Sequence, residues 1–250
     1  MAQFDTRFNQ SQVGTQAGAG AMDAGLRAYM MRVYNYMALG VAATAGVTLL
    51  LMSNPDVMRM IATGPMKWVL FFAVLGLGWF APKLIFSQNS ALAHVAYWGY
   101  CALWGALISP MIYYFMRSPA GGQLVFRAFA ITAVTFGATS LYGYVTKRNL
   151  SALGTFFMIA TIGLIIAMLV NALIFQSVGM SLVVSCITVL IFAGITAYET
   201  QEIKEMYYAQ DHQGVTNKKA IFGAFMLYGS FITMFVHILN ILGIMDTSND

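Results

Sequence analysis

The chain has 250 residues, 59% of them hydrophobic and only 9% charged, with 13 Lys or Arg against 9 Asp or Glu and a formal net charge of +4. A soluble domain carries about 25% charged residues, so this composition excludes a single soluble globule and points to a polytopic membrane protein. The basic residues stand singly or in pairs between apolar runs, which excludes a phosphate-tracking stripe and, with it, nucleic acid as a partner.

Residues 1–27 are polar and rich in Gln, Gly and Ala, with no early apolar core. They are expected to form a disordered tail and not a cleaved signal peptide. A spanning helix needs about 20 mostly apolar residues. Seven segments meet that length: Tyr34 to Met52, Met66 to Ile85, Ala91 to Phe115, Leu124 to Val145, Ala152 to Phe175, Met180 to Lys204 and Ala220 to Ile244. Asn54-Pro55 stops the first, Pro82 ends or kinks the second, and Lys147-Arg148 stops the fourth. Short connections leave no room for a second domain. The predicted architecture is an all-α, seven-transmembrane helical bundle over 28–246, followed by a short tail at 247–250.

Alternating the loops divides the 13 basic residues into Arg7, Arg27, Arg32, Lys83, Lys147, Arg148, Lys204, Lys218 and Lys219 on the amino-terminal side and Arg59, Lys67, Arg117 and Arg127 on the other. The positive-inside rule then predicts a cytoplasmic amino terminus. Cys101 and Cys186 lie inside apolar runs without metal-ligand spacing and are read as core hydrophobes. No cofactor or metal site is expected.

The chemistry is concentrated in polar stripes. The sixth segment carries Ser181, Ser185, Thr188, Thr196 and Glu199; the seventh carries Ser230, Thr233, His237 and Asn240; the fourth carries Thr132, Thr135, Thr139 and Tyr142. Their spacings keep each set near one helical face, which should look toward protein or water. Ser and Thr in such rows usually serve as packing glue. Glu199 differs, because it is the one acid about four residues inside a hydrophobic segment, where an ionisable group is costly and marks a functional site by default. Glu202 and Glu205 follow it toward the helix end and are read as solvated. His237 is seven residues from Ser230, about 10 Å along a helix, so the two cannot form a dyad. No Gly-x-Ser-x-Gly, His-Glu-x-x-His or Walker pattern is present, and the chain is not expected to be an enzyme.

Several segments together carry a resemblance. They are Phe136 to Tyr144, Thr146 to Ser151, Leu169-Val170-Asn171, Thr196 to Gln201, and Leu227-Tyr228 with Phe231-Ile232 and Phe235. Over about Arg27 to Gly243 the chain resembles bacterial members of the Bax inhibitor (transmembrane Bax-inhibitor-motif, YccA-like) family. The resemblance implies a seven-helix fold whose last helix is surrounded by the other six. It also implies a passive, pH-sensitive calcium leak, governed by two aspartates on the sixth and seventh helices that share a proton. Two carboxylates in contact cannot both ionise cheaply, so they titrate as a unit, and deprotonation drives them apart.

This chain departs from that pattern at both positions. The usual Tyr-Asp-Thr-Gln reads Tyr198-Glu199-Thr200-Gln201, and the usual Leu-Asp-Phe-Ile reads Gly229-Ser230-Phe231-Ile232. The second carboxylate is absent, and a basic residue often found ten positions later is Asn240. The sequence therefore predicts an ion-path or pH-sensing pair of Glu199 and Ser230, with Thr196, Thr233, His237, Asn240 and Asn171 as candidate polar lining. Calcium is the candidate transported ion, held weakly because a hard cation prefers several carboxylate oxygens. The bilayer is the expected environment, specifically a bacterial inner membrane. The alternative is a non-transporting regulator that binds a membrane-bound AAA protease through its polar tail, as some relatives do.

Overall fold

The computed structural model describes the backbone of residues 5–118 and 120–247, and the side chains of residues 24–118 and 120–246. Among the described residues there is no strand. The helices are α1 (Asp5–Met52), α2 (Pro55–Thr63), α3 (Met66–Ile85), α4 (Ser90–Met116), α5 (Gly121–Val145), α6 (Gly154–Val170), α7 (Val178–Glu205) and α8 (Gln213–Thr247). Among the described residues seven helical stretches are long and apolar enough to cross a membrane: Ala24–Met52, Met66–Ile85, Ser90–Met116, Gly121–Val145, Ser151–Phe175, Val178–Glu205 and Gln213–Asp246. The protein is thus an all-α, seven-span membrane protein.

Three local features differ from the sequence expectation. First, helical backbone begins at Asp5, so much of the segment expected to be disordered continues the helix of the first span. Extending an existing helix needs no new nucleus, and Ala and Gln are good helix formers. Residues 1–4 and 248–250, and the side chains before Ala24 and from Thr247 onward, lie outside the described residues. Second, Asn54-Pro55 both stops α1 and starts the unpredicted helix α2. The Asn54 side chain accepts from the Asp56 and Val57 amides at 3.1 and 3.3 Å, and Pro55 fills a first-turn position that needs no donor. Met58 and Ile61 are buried, and this nine-residue helix, too short to span, packs against α1, α3 and α4. Third, α6 leaves the α pattern in a π turn, Asn171–Phe175, which closes on Gln176 at a φ of 49°.

α8 is the central helix. Of its most apolar membrane stretch, 61% is buried, against 11% for the stretch that contains α6. Its buried positions, including Ala220, Ile221, Ala224, Leu227, Tyr228, Phe231, Ile232, Phe235, Ile238 and Leu239, follow one another at steps of three and one around a broad face. Without a hydrophobic drive between helices in lipid, such a helix is held by close packing and hydrogen bonds. α8 packs against α1, α3, α4, α5 and α7, while α6 joins the bundle along α7. The surround is therefore five helices in direct packing, with α6 standing across a gap.

The outer helices follow the order α3, α4, α1, α5, α7, α6. Two seams in this ring stay open. One lies between α6 and α3 and leads to α8. The other lies between α1 and α5, where a Tyr34–Ser140 hydrogen bond of 2.6 Å bridges the two helices.

One end of the bundle gathers most of the basic residues and is tied together by them. Arg32 bonds to Asn217, Lys218 Nζ donates to the Ser87 carbonyl at 2.6 Å, and Lys219 meets Asp211 and the Met206 carbonyl. These bonds join the start of α8 to α1, to the α3–α4 turn and to the α7–α8 turn.

Candidate functional site

Successive residues on an α-helix point about 100° apart, at 3.6 residues per turn. Four in a row therefore address four directions, and Tyr198 to Gln201 on α7 use all of them. Tyr198 packs on Phe157 of α6, with ring centroids 6.1 Å apart. Glu199 faces α8, where Ser230 Oγ donates to Glu199 Oε2 at 2.7 Å. Thr200 Oγ1 faces α5, 2.9 Å from Ser140 Oγ. Gln201 reaches the α5–α6 turn: its Oε1 accepts from the Leu150 amide at 2.7 Å, and its Nε2 donates to the Arg148 carbonyl at 2.9 Å.

The hydroxyls around Thr200 form a directed chain. Thr200 Oγ1 donates to the Thr196 carbonyl at 2.7 Å, which leaves it to accept from Ser140, and Ser140 in turn accepts from Tyr34 OH at 2.6 Å. One short segment thus fastens α1, α5, α6, α7 and α8 at a single level.

Glu199 lies six residues before the end of α7, about 9 Å along the axis. It lines a cavity of about 370 Å³ in the α3–α6 seam, together with Tyr100, Trp104, Thr161, Ser230, Thr233 and His237. No ion pair satisfies the carboxylate, since Lys219–Asp211 is the single ion pair among the described residues. The nearby Lys204 is engaged elsewhere: its Nζ donates to the Tyr144 carbonyl at 2.9 Å and sits 5.1 Å from the Tyr144 ring centre. Among the described residues no three of His, Cys, Asp and Glu come together.

Further along α8 the polar row continues. His237 Nδ1 is 3.0 Å from Ser185 Oγ, and Asn240 Nδ2 donates to Ser181 Oγ and Ser185 Oγ, both at 2.9 Å. These groups line a second cavity of about 260 Å³, and His237 and Met168 line both cavities. From Ser230 to Asn240 the row spans ten residues, about 15 Å, roughly half the thickness of a ~30 Å hydrocarbon core.

The structure thus brings Glu199, Ser230, Thr233, His237 and Asn240 onto connected cavity walls. It keeps Thr196 off those walls, and it sets Asn171 on the wall of the second cavity beside His237 and Asn240. Thr196 is fully buried and donates back to the Phe192 carbonyl at 2.8 Å, so its hydroxyl is spent within its own helix. Asn171 touches the second cavity, but its amide bridges both backbone groups of Ser177, at 3.0 and 3.2 Å. That bridge holds the turn in which Gln176 takes its left-handed conformation, which is costly for a residue other than glycine. Ser181 and Ser185 lay on the expected stripe, but their partners were not identifiable because Asn240 and His237 are more than fifty residues away. Tyr100, Trp104 and Thr161 carried no sequence signal, since aromatic and Thr residues in apolar spans are commonplace.

Comparison with known proteins agrees with this architecture. A family profile described as inhibitor of apoptosis-promoting Bax1 matches residues 26–247. The chain is 36% identical over 221 residues to the uncharacterized protein RP147 of Rickettsia prowazekii, covering 88% of this chain and 91% of that protein. It is 38% identical over 218 residues to an uncharacterized protein of Deinococcus radiodurans, covering 86% and 90%. It is 34% identical over 223 residues to the inner membrane protein YbhL of Escherichia coli K12, covering 88% and 93%. With seven spans around a central α8 and a profile match across nearly the whole bundle, the chain belongs to the Bax inhibitor family.

Proposed function

We propose that this protein is a bacterial inner-membrane pathway for slow, passive leak of cations, calcium among them, with its amino terminus in the cytoplasm. The observation that carries the reading is the Ser230–Glu199 hydrogen bond of 2.7 Å inside a cavity between α3, α4, α6, α7 and α8. A carboxylate without an ion pair is a cation-attracting group, and the polar row of Thr233, His237 and Asn240 continues from it toward the other end. Between Glu199 and the basic end, Val33, Ile203, Ile221 and Leu227 are buried to within 1% of complete and form an apolar seal. Conduction therefore requires α7 and α8 to separate at Ile203 and Gly223, and the Glu199–Ser230 bond is the polar latch beside that seal. A site with one carboxylate and several hydroxyls holds Ca²⁺ weakly, because the ion prefers six to eight oxygen ligands. Weak holding suits a leak, in which the ion must leave as readily as it arrives. The orientation rests on the basic residues of one bundle end, and the inner membrane is the location printed for the relative YbhL.

The test is calcium flux into proteoliposomes. Glu199→Gln keeps the shape and removes the charge, and flux should fall at least tenfold relative to the native chain. Flux in the native protein no greater than in empty liposomes, or flux unchanged in Glu199→Gln, overturns the proposal.

A companion variant restores the second acid. Ser230→Asp places two carboxylates in contact, and such a pair shares one proton until rising pH removes it. Loss of that proton pushes α7 from α8, so the variant's flux should climb steeply with pH while native flux changes less. Equal pH profiles for the two proteins would sink the latch role of this position.

The second reading is a non-transporting regulator of a membrane-bound AAA protease. It draws on the helical backbone that α1 extends to Asp5, well before its membrane stretch starts at Ala24. Deleting residues 2–25 should then abolish co-purification with the protease, and undiminished association would rule this arm out.

A further inference from the structure

The α1–α5 seam is the second opening in the ring, and nothing in the ion-leak reading uses it. Its half nearer the basic end is a hollow of about 450 Å³, walled by Met31, Tyr34, Gly137, Leu141 and Tyr144, with Arg27 at its mouth. Its other half is a hollow of about 420 Å³ lined almost entirely by apolar groups such as Val41, Val125, Phe129 and Phe235. The two threonines there have their O–H donors engaged within the protein: Thr44 bonds to the Gly40 and Cys101 carbonyls and to Tyr228 OH, and Thr48 donates to the Gly105 carbonyl. An apolar cavity of about 150 Å³ holds one six-carbon ring, so the two hollows have room for roughly 18 and 17 carbons on the same scale.

Position decides the occupant. Both walls are membrane-spanning helices, so the seam opens into the hydrocarbon layer. Arg27 is exposed at its basic end. Lys204 lies behind the same wall, against the Tyr144 ring, and Lys147 and Arg148 follow the end of α5. Positive charge at the mouth and apolar walls beyond match one chemistry, an anionic headgroup joined to a fatty chain. From Arg27 to Val41 is 14 residues, about 21 Å, which is more than half of a ~30 Å hydrocarbon core. A chain anchored at Arg27 therefore reaches the start of the second hollow. Gly137 sits in the wall where a side chain would meet nothing within 4 Å, so its lack of one keeps the seam open.

We propose that the α1–α5 seam is a binding site for one anionic glycerophospholipid, with its phosphate at Arg27 and one acyl chain laid along Tyr34 and Gly137 toward Val41. The bound chain lies over the Tyr34–Ser140–Thr200 hydroxyl row, one residue from Glu199.

The experiment uses the full chain in vesicles of phosphatidylcholine doped with a phosphatidylglycerol that carries a photoreactive acyl chain, with crosslinks mapped by peptide mass spectrometry. Crosslinks should concentrate on 27–34 and 136–144. Gly137→Leu fills the seam without a clash and should reduce them at least fivefold. Gly163→Leu, also in open space but on α6, should leave them unchanged. Arg27→Gln should remove the preference for phosphatidylglycerol over phosphatidylcholine in a competition series. Crosslinks spread evenly over the outer faces of α3, α5 and α6, or unchanged in Gly137→Leu, overturn the proposal. So does loss of the seam crosslinks as the protein-to-lipid ratio of the vesicles is raised, which would make the occupant a second copy of this chain.

Discussion

Replacing Gly143 with valine should remove nearly all folded protein from the membrane, the largest effect expected of any single substitution here. Gly143 is buried on α5 where that helix crosses α7. A Cβ at this position would collide with the Ala197 carbonyl oxygen and lie 2.8 and 2.9 Å from its carbon and Cα. The obstructing atoms are helix backbone, which cannot rotate aside as a side chain can. Overpacking a core usually costs about 1–3 kcal/mol. Here two helices must separate beside the Tyr198–Gln201 segment, so the cost should exceed that range and reach about 4 kcal/mol. The measurement is the fraction of detergent-extracted protein that elutes as a single species in size-exclusion chromatography. Gly137→Val on the same helix faces open space and should behave as the native chain. A monodisperse Gly143→Val protein of native thermal stability would show that the α5–α7 crossing is not close.

Gln201→Leu should produce the second-largest loss. The Gln201 amide is the partner of the Leu150 amide and the Arg148 carbonyl, and it binds the α5–α6 turn to α7. Leucine fills similar space but leaves the buried Leu150 amide unpaired, at about 1–3 kcal/mol, and takes the donor from the part-buried Arg148 carbonyl. A total near 3 kcal/mol is expected, seen as a lower melting temperature. Local opening at this turn should also speed hydrogen exchange of the Leu150 amide by about 100-fold, since each 1.4 kcal/mol is a factor of ten. Gln201→Glu retains an acceptor for Leu150 and loses the donor to Arg148, so it should fall between the two. Exchange at Leu150 as slow in Gln201→Leu as in the native chain would mean that the turn is held by something else.

These two residues illustrate why the Tyr198–Gln201 segment is more than the carrier of one acid. The sequence reading centred on Glu199 because an acid in an apolar segment is costly. Thr200 and Gln201 were motif letters without a role. In the fold they are the joints through which α7 grips α5, α1 and the α5–α6 turn. A motif that also positions its neighbours explains how Glu199 comes to face Ser230 squarely: three of its flanking contacts fix the rotation of α7 at that level.

Where sequence and structure differ, local physics accounts for it. Asn54-Pro55 reads as a helix stop, and it is one. The same two residues are also a good helix start, because an Asn side chain caps free amides and a proline suits the first turn. The choice between a stop alone and a stop followed by α2 depends on Met58 and Ile61 finding a surface to cover, which only the packed bundle supplies. Thr196 fell on the polar stripe of α7 by spacing alone. Its hydroxyl is satisfied by the preceding turn, a bond that any helical threonine can make and that spacing cannot distinguish from cavity lining.

By itself the sequence determined the seven spans, the basic bundle end and the costly acid at Glu199. Each is a property of local composition: apolar length, charge asymmetry, and an ionisable group where water is scarce. Membership of the family was also readable from the segments that carry it. The tertiary structure alone decided which polar groups meet. Ser230 reaches Glu199 across 31 positions, His237 reaches Ser185 across 52, and Tyr34 reaches Ser140 across 106. Such pairs depend on the rotation and register of whole helices, and those are set by where glycines such as Gly143 permit backbone to touch backbone. The two open seams have the same origin. They exist because α6 packs on α7 instead of α8, and because α1 and α5 meet through a hydroxyl pair and not along a packed face. No single segment contains that information, since it is the sum of all the contacts around α8.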